Sequence, residues 1–360
     1  MARWLMVDIG AGTLDLLVVD GDDKQTYKAV VKSPIRTVAE SIAASEGPLA
    51  VTGGEMGGGP VTSLLKARAA VEKVVIGESA AATLHHDRDR VTGWGLTIVS
   101  DEDARLAARE KGMGHIHLSD VQPRRIEALV AGLGVPFEFD AVAVCAQDHG
   151  VAPPGVSHLD FRHNLFAEAL NHTPLPHRLL YPGDEVPASF NRLTTIAATA
   201  ATLPTAAVYV MDSGMAAITG AARDPSAELC DEGIVVLDIA TSHTVGAAME
   251  GGELLATFEY HTSEVTTAVL DELLAGLVAG DLSHRAILAQ GGHGAFVRGK
   301  PVFGEASAII ATGPKRRLAR ESRYPLIWGA PWGDNMMTGT VGLYTALARR
   351  LREDPAGRVL

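Results

Sequence analysis

Asp8 and Asp238 each stand near the end of an apolar strand and open a short turn of small and hydroxylated residues. The segments are WLMVDIGAGTLDLLVVDGD (Trp4 to Asp22) and GIVVLDIATSHTVGAAMEGGELL (Gly233 to Leu255). In both, a second apolar strand leaves the turn. Two related halves built this way would offer two β-hairpin loops to one polyanion held between them. A phosphate tail needs backbone N–H groups that can approach closely. Gly10 and Gly12, on either side of Ala11, remove side chains that would block that approach and permit positive φ. Thr13 adds a hydroxyl donor. Asp8 and Asp238 would repel phosphate, so they make sense as ligands, through water, of a Mg²⁺ between the loops, because that ion keeps most of its hydration shell. Alone, DIGAGT (Asp8 to Thr13) is equally a plain hairpin turn; its pairing with DIATSHT (Asp238 to Thr244) favours phosphate.

Other segments carry weaker chemistry. Gln147-Asp148-His149 follows the buried run AVAVCA (Ala141 to Ala146). Ligands of α/β sheets bind at the carboxyl ends of strands, so His149 is a candidate acid, base or substrate hydrogen-bonder, or else part of a surface turn. TGGEMGGG (Thr52 to Gly59) is either an anion cradle or a flexible loop. GGHGAF (Gly291 to Phe296) places His293 at a close-approach site or in a turn. His158, His163, His172 and His177 are spaced so that none forms an i, i+4 pair on one helix face. A protein-bound transition metal is therefore not expected.

The elements that must position these residues alternate. Strands are expected at Arg3–Ile9, Leu14–Val19 and Lys24–Lys32 with turns at Gly10–Gly12 and Gly21–Asp23. Helices follow at Ile35–Ser45 and Val61–Glu72, around a strand at Pro48–Thr52. The pattern weakens from Val74 to Phe139 and gives no clear element across Pro153–Pro187. A helix at Ser189–Thr202 and strand Ala206–Met211 lead to the small-residue helix of DSGMAAITGA (Asp212 to Ala221). A helix at Val265–Ala279, a strand at Ala308–Ala311 and a final helix at Asn335–Arg352 complete the chain. Gly214, Ala216, Ala217 and Gly220 in one helix, and Gly339 and Gly342 in the other, would let the two cross closely and hinge. Strands joined by crossover helices signal an α/β architecture.

Composition bounds the function. A chain of 360 residues is comfortable for two cores. No apolar run approaches the roughly 18 residues of a membrane span. The start, Met1-Ala2-Arg3 running into a strand, lacks a signal-peptide layout. Two cysteines, Cys145 and Cys230, form no disulfide framework, so a cytoplasmic setting is expected. The net charge of −12 argues against nonspecific nucleic-acid binding.

Five segments, in order, resemble those of the actin-like ATPases: sugar kinases, heat-shock chaperone ATPases and actin. DIGAGT resembles their first phosphate loop, and DIATSHT occupies the place of the second. VYVMDSGMAAITGAA (Val208 to Ala222) resembles the first interdomain helix with its preceding acid. AIIATGPKRR (Ala308 to Arg317) stands where the adenosine-binding strand and loop belong, and GDNMMTGTVGLYTALA (Gly333 to Ala348) resembles the second connecting helix. The resemblance covers about two-thirds of the chain. It implies that Asp212 positions or deprotonates the nucleophile, a role compatible with helix capping, which Asp also favours. The chain departs from the family pattern twice. Ala240, Thr241, Ser242 and His243 replace the glycines of the second loop, although hydroxyls such as Thr241, Ser242 and Thr244, and the His243 ring, can still donate to phosphate. The adenosine loop keeps one glycine, Gly313, and Lys315 or Arg316 can stack on a purine there.

More narrowly, the chain resembles an uncharacterised family labelled as related to pyruvate formate-lyase activation. That label implies radical chemistry on an iron–sulfur cluster, for which two distant cysteines cannot supply the ligands. The expected fold is α/β: two actin-like (ribonuclease H-like) domains of mixed sheet plus helices facing a central cleft. The first would span 1–211 and 335–360 with an elaboration around 74–187, and the second 223–333, joined by a helix at 212–222. The expected function is a Mg²⁺-dependent, ATP-binding phosphotransferase or ATPase with a small-molecule or protein acceptor. A nucleotide-switched assembly or scaffold protein and a small-molecule sensor are the alternatives, and homo-oligomerisation stays open.

Overall fold

The computed structural model describes residues 2–21, 25–153, 155–230, 232–304 and 307–353. The expected turn residues Asp22 and Asp23, the expected strand start Lys24, and the end of the first domain beyond residue 353 lie outside the described residues. The chain opens with an antiparallel meander, β1 (Arg3–Ile9), β2 (Thr13–Asp20) and β3 (Gln25–Lys32). Four parallel strands then form a separate sheet: β4 (Leu49–Gly53), β5 (Val74–Gly77), β6 (Thr97–Val99) and β7 (Gly114–Leu118), in the order β6-β5-β4-β7. The chain returns to the first sheet with β8 (Ala141–Ala146), β9 (Tyr181–Pro182) and β10 (Val208–Asp212), giving the order β3-β2-β1-β8-β10-β9. All six residues of β8 are buried, as expected of an interior parallel strand covered on both faces.

The second half repeats this plan. Strands β11 (Ile234–Ile239), β12 (His243–Glu250) and β13 (Glu253–His261) make the meander, followed by β14 (Gly294–Val297), β15 (Ala308–Thr312) and β16 (Leu326–Trp328). Their order is β14-β13-β12-β11-β15-β16, with β15 parallel to β11 and β16 parallel to β15. Each half is thus a three-stranded antiparallel meander whose first strand is extended by parallel strands. The α/β architecture expected from the sequence, mixed sheet plus helices, is present in both halves, and one cavity is lined from both of them.

Two features differ from the sequence expectation. The extra sheet occupies residues 49–118, whereas 141–212 returns to the main sheet, so the stretch 74–187 is not one block. Strand β4 reads like any buried strand, and nothing local in it tells which sheet it joins. A 15-residue helix, His158–His172, also forms where no element was legible.

The first connecting helix, Ser213–Ala221, crosses the second, Thr338–Glu353. Their backbones touch: a Cβ added at Gly220 would overlap the Thr338 carbonyl oxygen and come within 2.8 Å of the Gly342 nitrogen. One added at Gly342 would overlap the Ala216 carbonyl oxygen. The second helix also packs on β1 and β8. No described helix is long and apolar enough to cross a membrane.

Candidate active site

The two hairpin loops are built alike, bond for bond. In the first, Gly10 N–H donates to Thr13 O at 3.0 Å; in the second, Ala240 N–H donates to His243 O at 3.1 Å. Each closes a two-residue tip, Ala11-Gly12 or Thr241-Ser242. The end of the third meander strand ties each loop down from behind. Ser33 N–H donates to Gly12 O at 3.1 Å and Ser33 Oγ to Gly10 O at 2.6 Å. Thr262 N–H donates to Ser242 O at 2.8 Å and Thr262 Oγ1 to Ala240 O at 2.9 Å. The carbonyls, which would repel an anion, are therefore turned back and occupied. The N–H groups of Ala11, Gly12, Thr241 and Ser242 donate to no partner among the described residues. The tips meet: a Cβ on Gly12 would stand 2.7 Å from Thr241 Oγ1.

Both loops line one cavity of about 520 Å³, together with Asp8, Asp15, Asp238, Glu55, His86, His149, Arg162, Arg192 and Gly313. Asp8 and Asp238 occupy equivalent places, each the last residue but one of its strand. Burial pushes the Asp8 carboxyl up to about 7; a hydrogen bond with the Cys145 thiol opposes this, and the charge of Asp238 adds to it. Burial raises Asp238 to about 6, against a hydrogen bond from Thr312 Oγ1 at 3.0 Å. Asp15, directly opposite Asp8 in the ladder, is raised to about 8 by burial and then by the Asp8 charge. Three carboxyls line one cavity, and the charge of Asp238 disfavours charge on Asp8 and Asp15, so the group forms a site that a cation would relieve.

A second cluster crosses the cleft. Arg162, on the helix His158–His172, pairs with Asp212 at 2.9 and 3.2 Å and with Glu259 of β13 at 3.0 Å. It also donates to the Asp148 carbonyl. Asp212 accepts further from Gly214 N–H at 2.9 Å, as helix cap, and from Asp148 N–H at 3.3 Å. Its oxygens are taken up, and it does not line the main cavity. The Arg162 guanidinium holds the Glu259 carboxyl well below the usual carboxylate range, against the opposing effect of burial. Glu259 also accepts from Gln147 and meets His293 Nδ1 at 3.2 Å. His149 and His243 line the cavity beside this cluster. Burial pushes His149 down to about 3 and His243 down to about 4.

The remaining sequence candidates are placed as follows. Thr13 lines the cavity, but Thr244 is fully buried behind its loop, its hydroxyl 3.1 Å from that of Thr262. Gly313 and Pro314 line the cavity, whereas Lys315 and Arg316 do not. Arg316 donates to the Gly329 carbonyl and lies 5.9 Å from the Trp328 ring centroid. TGGEMGGG contributes Glu55 and Gly57–Gly59 to the far end of the cavity. There His86 Nε2 lies 3.0 Å from Glu55, which raises the His86 ring, and Asn191 donates to the other carboxyl oxygen. Arg192 is fixed by Asp120 at 2.7 and 3.0 Å and donates to the Gln147 carbonyl at 2.7 Å. Asp15, Glu55, His86, Arg162, Arg192 and Glu259 were not singled out by residue type and spacing. Asp15 had a readable signal: a two-residue hairpin tip fixes it opposite Asp8.

A family profile matches residues 56–318, that of the family described as "Putative pyruvate format-lyase activating enzyme (DUF1786)". The chain belongs to this family. The match takes in the second loop, the first connecting helix and β15, and leaves the first loop and second connecting helix outside. The residues do not fit the iron–sulfur cluster that such a description implies. Cys145 is wholly buried on β8, Cys230 Sγ donates to Ser226 O at 3.2 Å, and the sequence holds no third cysteine.

No curated protein matches the chain. Solved structures similar to it include a Bacteroides thetaiotaomicron protein with an actin-like ATPase fold and unknown function (9% identity, 89% of this chain and 86% of that one, TM-score 0.32). Others are a PilM–PilN type IV pilus biogenesis complex (13%, 96% and 97%, 0.40) and an inorganic polyphosphate/ATP-glucomannokinase from Arthrobacter sp. strain KM (11%, 98% and 100%, 0.38).

Proposed function

We propose that the protein is a Mg²⁺-dependent, nucleotide-binding phosphotransferase or ATPase that closes its two halves on the phosphates. The observation that carries this reading is the duplicated loop: carbonyls strapped inward, tip N–H groups free, and one half-buried aspartate behind each tip. Free N–H groups suit phosphate oxygens. The all-oxygen donor set of Asp8 and Asp238 suits Mg²⁺, which would neutralise phosphate charge during transfer. Gly313 and Pro314 form the wall on which the nucleoside would lie. The acceptor, a small hydroxylated molecule or a protein side chain, would enter over Gly57–Gly59. Glu55, in the cavity wall and within hydrogen-bond reach of His86, has the chemistry to take the nucleophile's proton. Asp212 holds Arg162 in place.

Thermal unfolding with Mg²⁺ plus ATP, ADP or GTP tests this on the native chain and on Asp8→Ala. A nucleotide at a hundred times its dissociation constant adds about 2.7 kcal/mol of stability, and Asp8→Ala is expected to abolish the Mg²⁺-dependent part. No shift with any nucleotide would overturn the reading. A shift without phosphate release or transfer, accompanied by concentration-dependent light scattering, would favour a nucleotide-switched assembly protein.

A further inference from the structure

We propose that His149, His243 and His293 bind one divalent transition-metal ion, Zn²⁺ by the chemistry of the donors, in the wall of the cleft and across its two halves. His149 follows β8 of the first half; His243 begins β12 and His293 precedes β14 of the second. One ring nitrogen from each converges, all three within 4.8 Å of one another. Nitrogens bound to one tetrahedral Zn²⁺ at about 2.0–2.1 Å stand roughly 3.3 Å apart, so ring rotations on the order of 1 Å close the set.

The second observation is an orphan. His243 Nε2 is buried and has no hydrogen-bond partner among the described residues, while Nδ1 of the same ring lies 2.9 Å from Ser242 Oγ. A buried polar atom without a partner is costly, and a metal ion is one partner that repays it.

The carboxylate beside the rings fixes the tautomer a metal requires at His293. Glu259 can only accept, so His293 carries its proton on Nδ1, 3.2 Å from that carboxylate, and presents a lone pair at Nε2. Glu259 is itself held by Arg162 at 3.0 Å, which also pairs with Asp212. Two carboxylates against one guanidinium leave one negative charge beside the rings, which favours a dication. In the metal-free arrangement His261 Nε2, 2.9 Å away, donates to the His293 lone pair; the ion displaces it. Imidazole donors select Zn²⁺ and its neighbours over Mg²⁺, so this site is separate in chemistry from the Asp8–Asp238 pair. The family description and the proposed nucleotide reading assign nothing to it.

Titration of the metal-free full-length chain with Co²⁺, a spectroscopic stand-in for Zn²⁺, tests the proposal. The expected result is one equivalent bound, with intense visible bands of a four- or five-coordinate ion and displacement by one equivalent of Zn²⁺. His243→Gln and His293→Gln should each weaken binding by at least about 100-fold. His172→Gln, at an exposed helix end, and Asp8→Ala should leave it unchanged. Circular dichroism of each variant verifies folding, and the two cluster variants, on different strands, guard against one that misfolds. A pale octahedral spectrum, no binding, or binding lost equally in His172→Gln would overturn the site. Because Asp8→Ala removes one proposed magnesium ligand and none of the three rings, failure of either reading is distinguishable from failure of the other.

Discussion

Asp15 faces Asp8 across the β1–β2 ladder, and Val245 takes the equivalent place opposite Asp238. The duplicated loops thus differ in charge by one residue, and the carboxyl excess lies on the first. The consequence is a pH dependence whose sign can be worked out. Burial first, and the other carboxyls second, raise Asp8 to about 7 and Asp15 to about 8. Below those values the folded chain holds protons that the unfolded chain has released, so stability falls as pH rises through them. Lowered histidines such as His149 and His243 act oppositely, but only below pH 6.5. The carboxyls therefore act against no such opposition between about pH 6.5 and 8, where the raised His86 pulls the same way. Asp15→Asn removes the charge and keeps the shape, so it should flatten the fall of Tm over that window and raise Tm at pH 8. An unchanged slope would show that Asp15 is not among the groups titrating there.

The connecting helices are where packing is least forgiving. At Gly220 and Gly342 the obstacles to a Cβ are backbone atoms, which cannot swing aside. Gly220→Ala should cost about 3 kcal/mol through overpacking at the crossing. Gly132→Ala, at a helix end with open space around it, should be neutral or stabilising by about 0.5 kcal/mol. Urea unfolding of the two variants measures the contrast, and equal effects would sink the idea that this crossing is backbone-tight. These glycines were legible in the sequence, as were the bounds of β1 and β8, because small-residue runs and continuous apolar runs are local signals. The helix His158–His172 was not. Its buried positions are Arg162 and Leu170, so it has no apolar stripe to read, and its inward face carries a guanidinium. The histidine cluster was hidden for a different reason. A bulge between Ala248 and Met249 shifts the β12–β13 register and sets His243 opposite His261 rather than Tyr260. A single displaced residue inside a strand leaves no mark in the spacing.

At the scale of the whole molecule, the duplication and the cleft make one mechanical claim. Each loop belongs to a different half, each is tied to its own third strand, and the tips meet at Gly12 and Thr241. A phosphate chain bound by both tips must therefore restrain both halves at once, whereas one bound by a single loop restrains its own half alone. Hydrogen exchange separates the cases, because the N–H groups of Ala11, Gly12, Thr241 and Ser242 donate to no described partner and should exchange fast in the free protein. With saturating Mg²⁺ and nucleotide, peptides covering both tips should slow together, and Asp8→Ala should release both although Asp8 lies in the first half. Protection confined to the first tip would mean that Thr241 and Ser242 have left phosphate binding altogether. The second loop would then serve the first only as a wall, and the clamp would be a one-sided site.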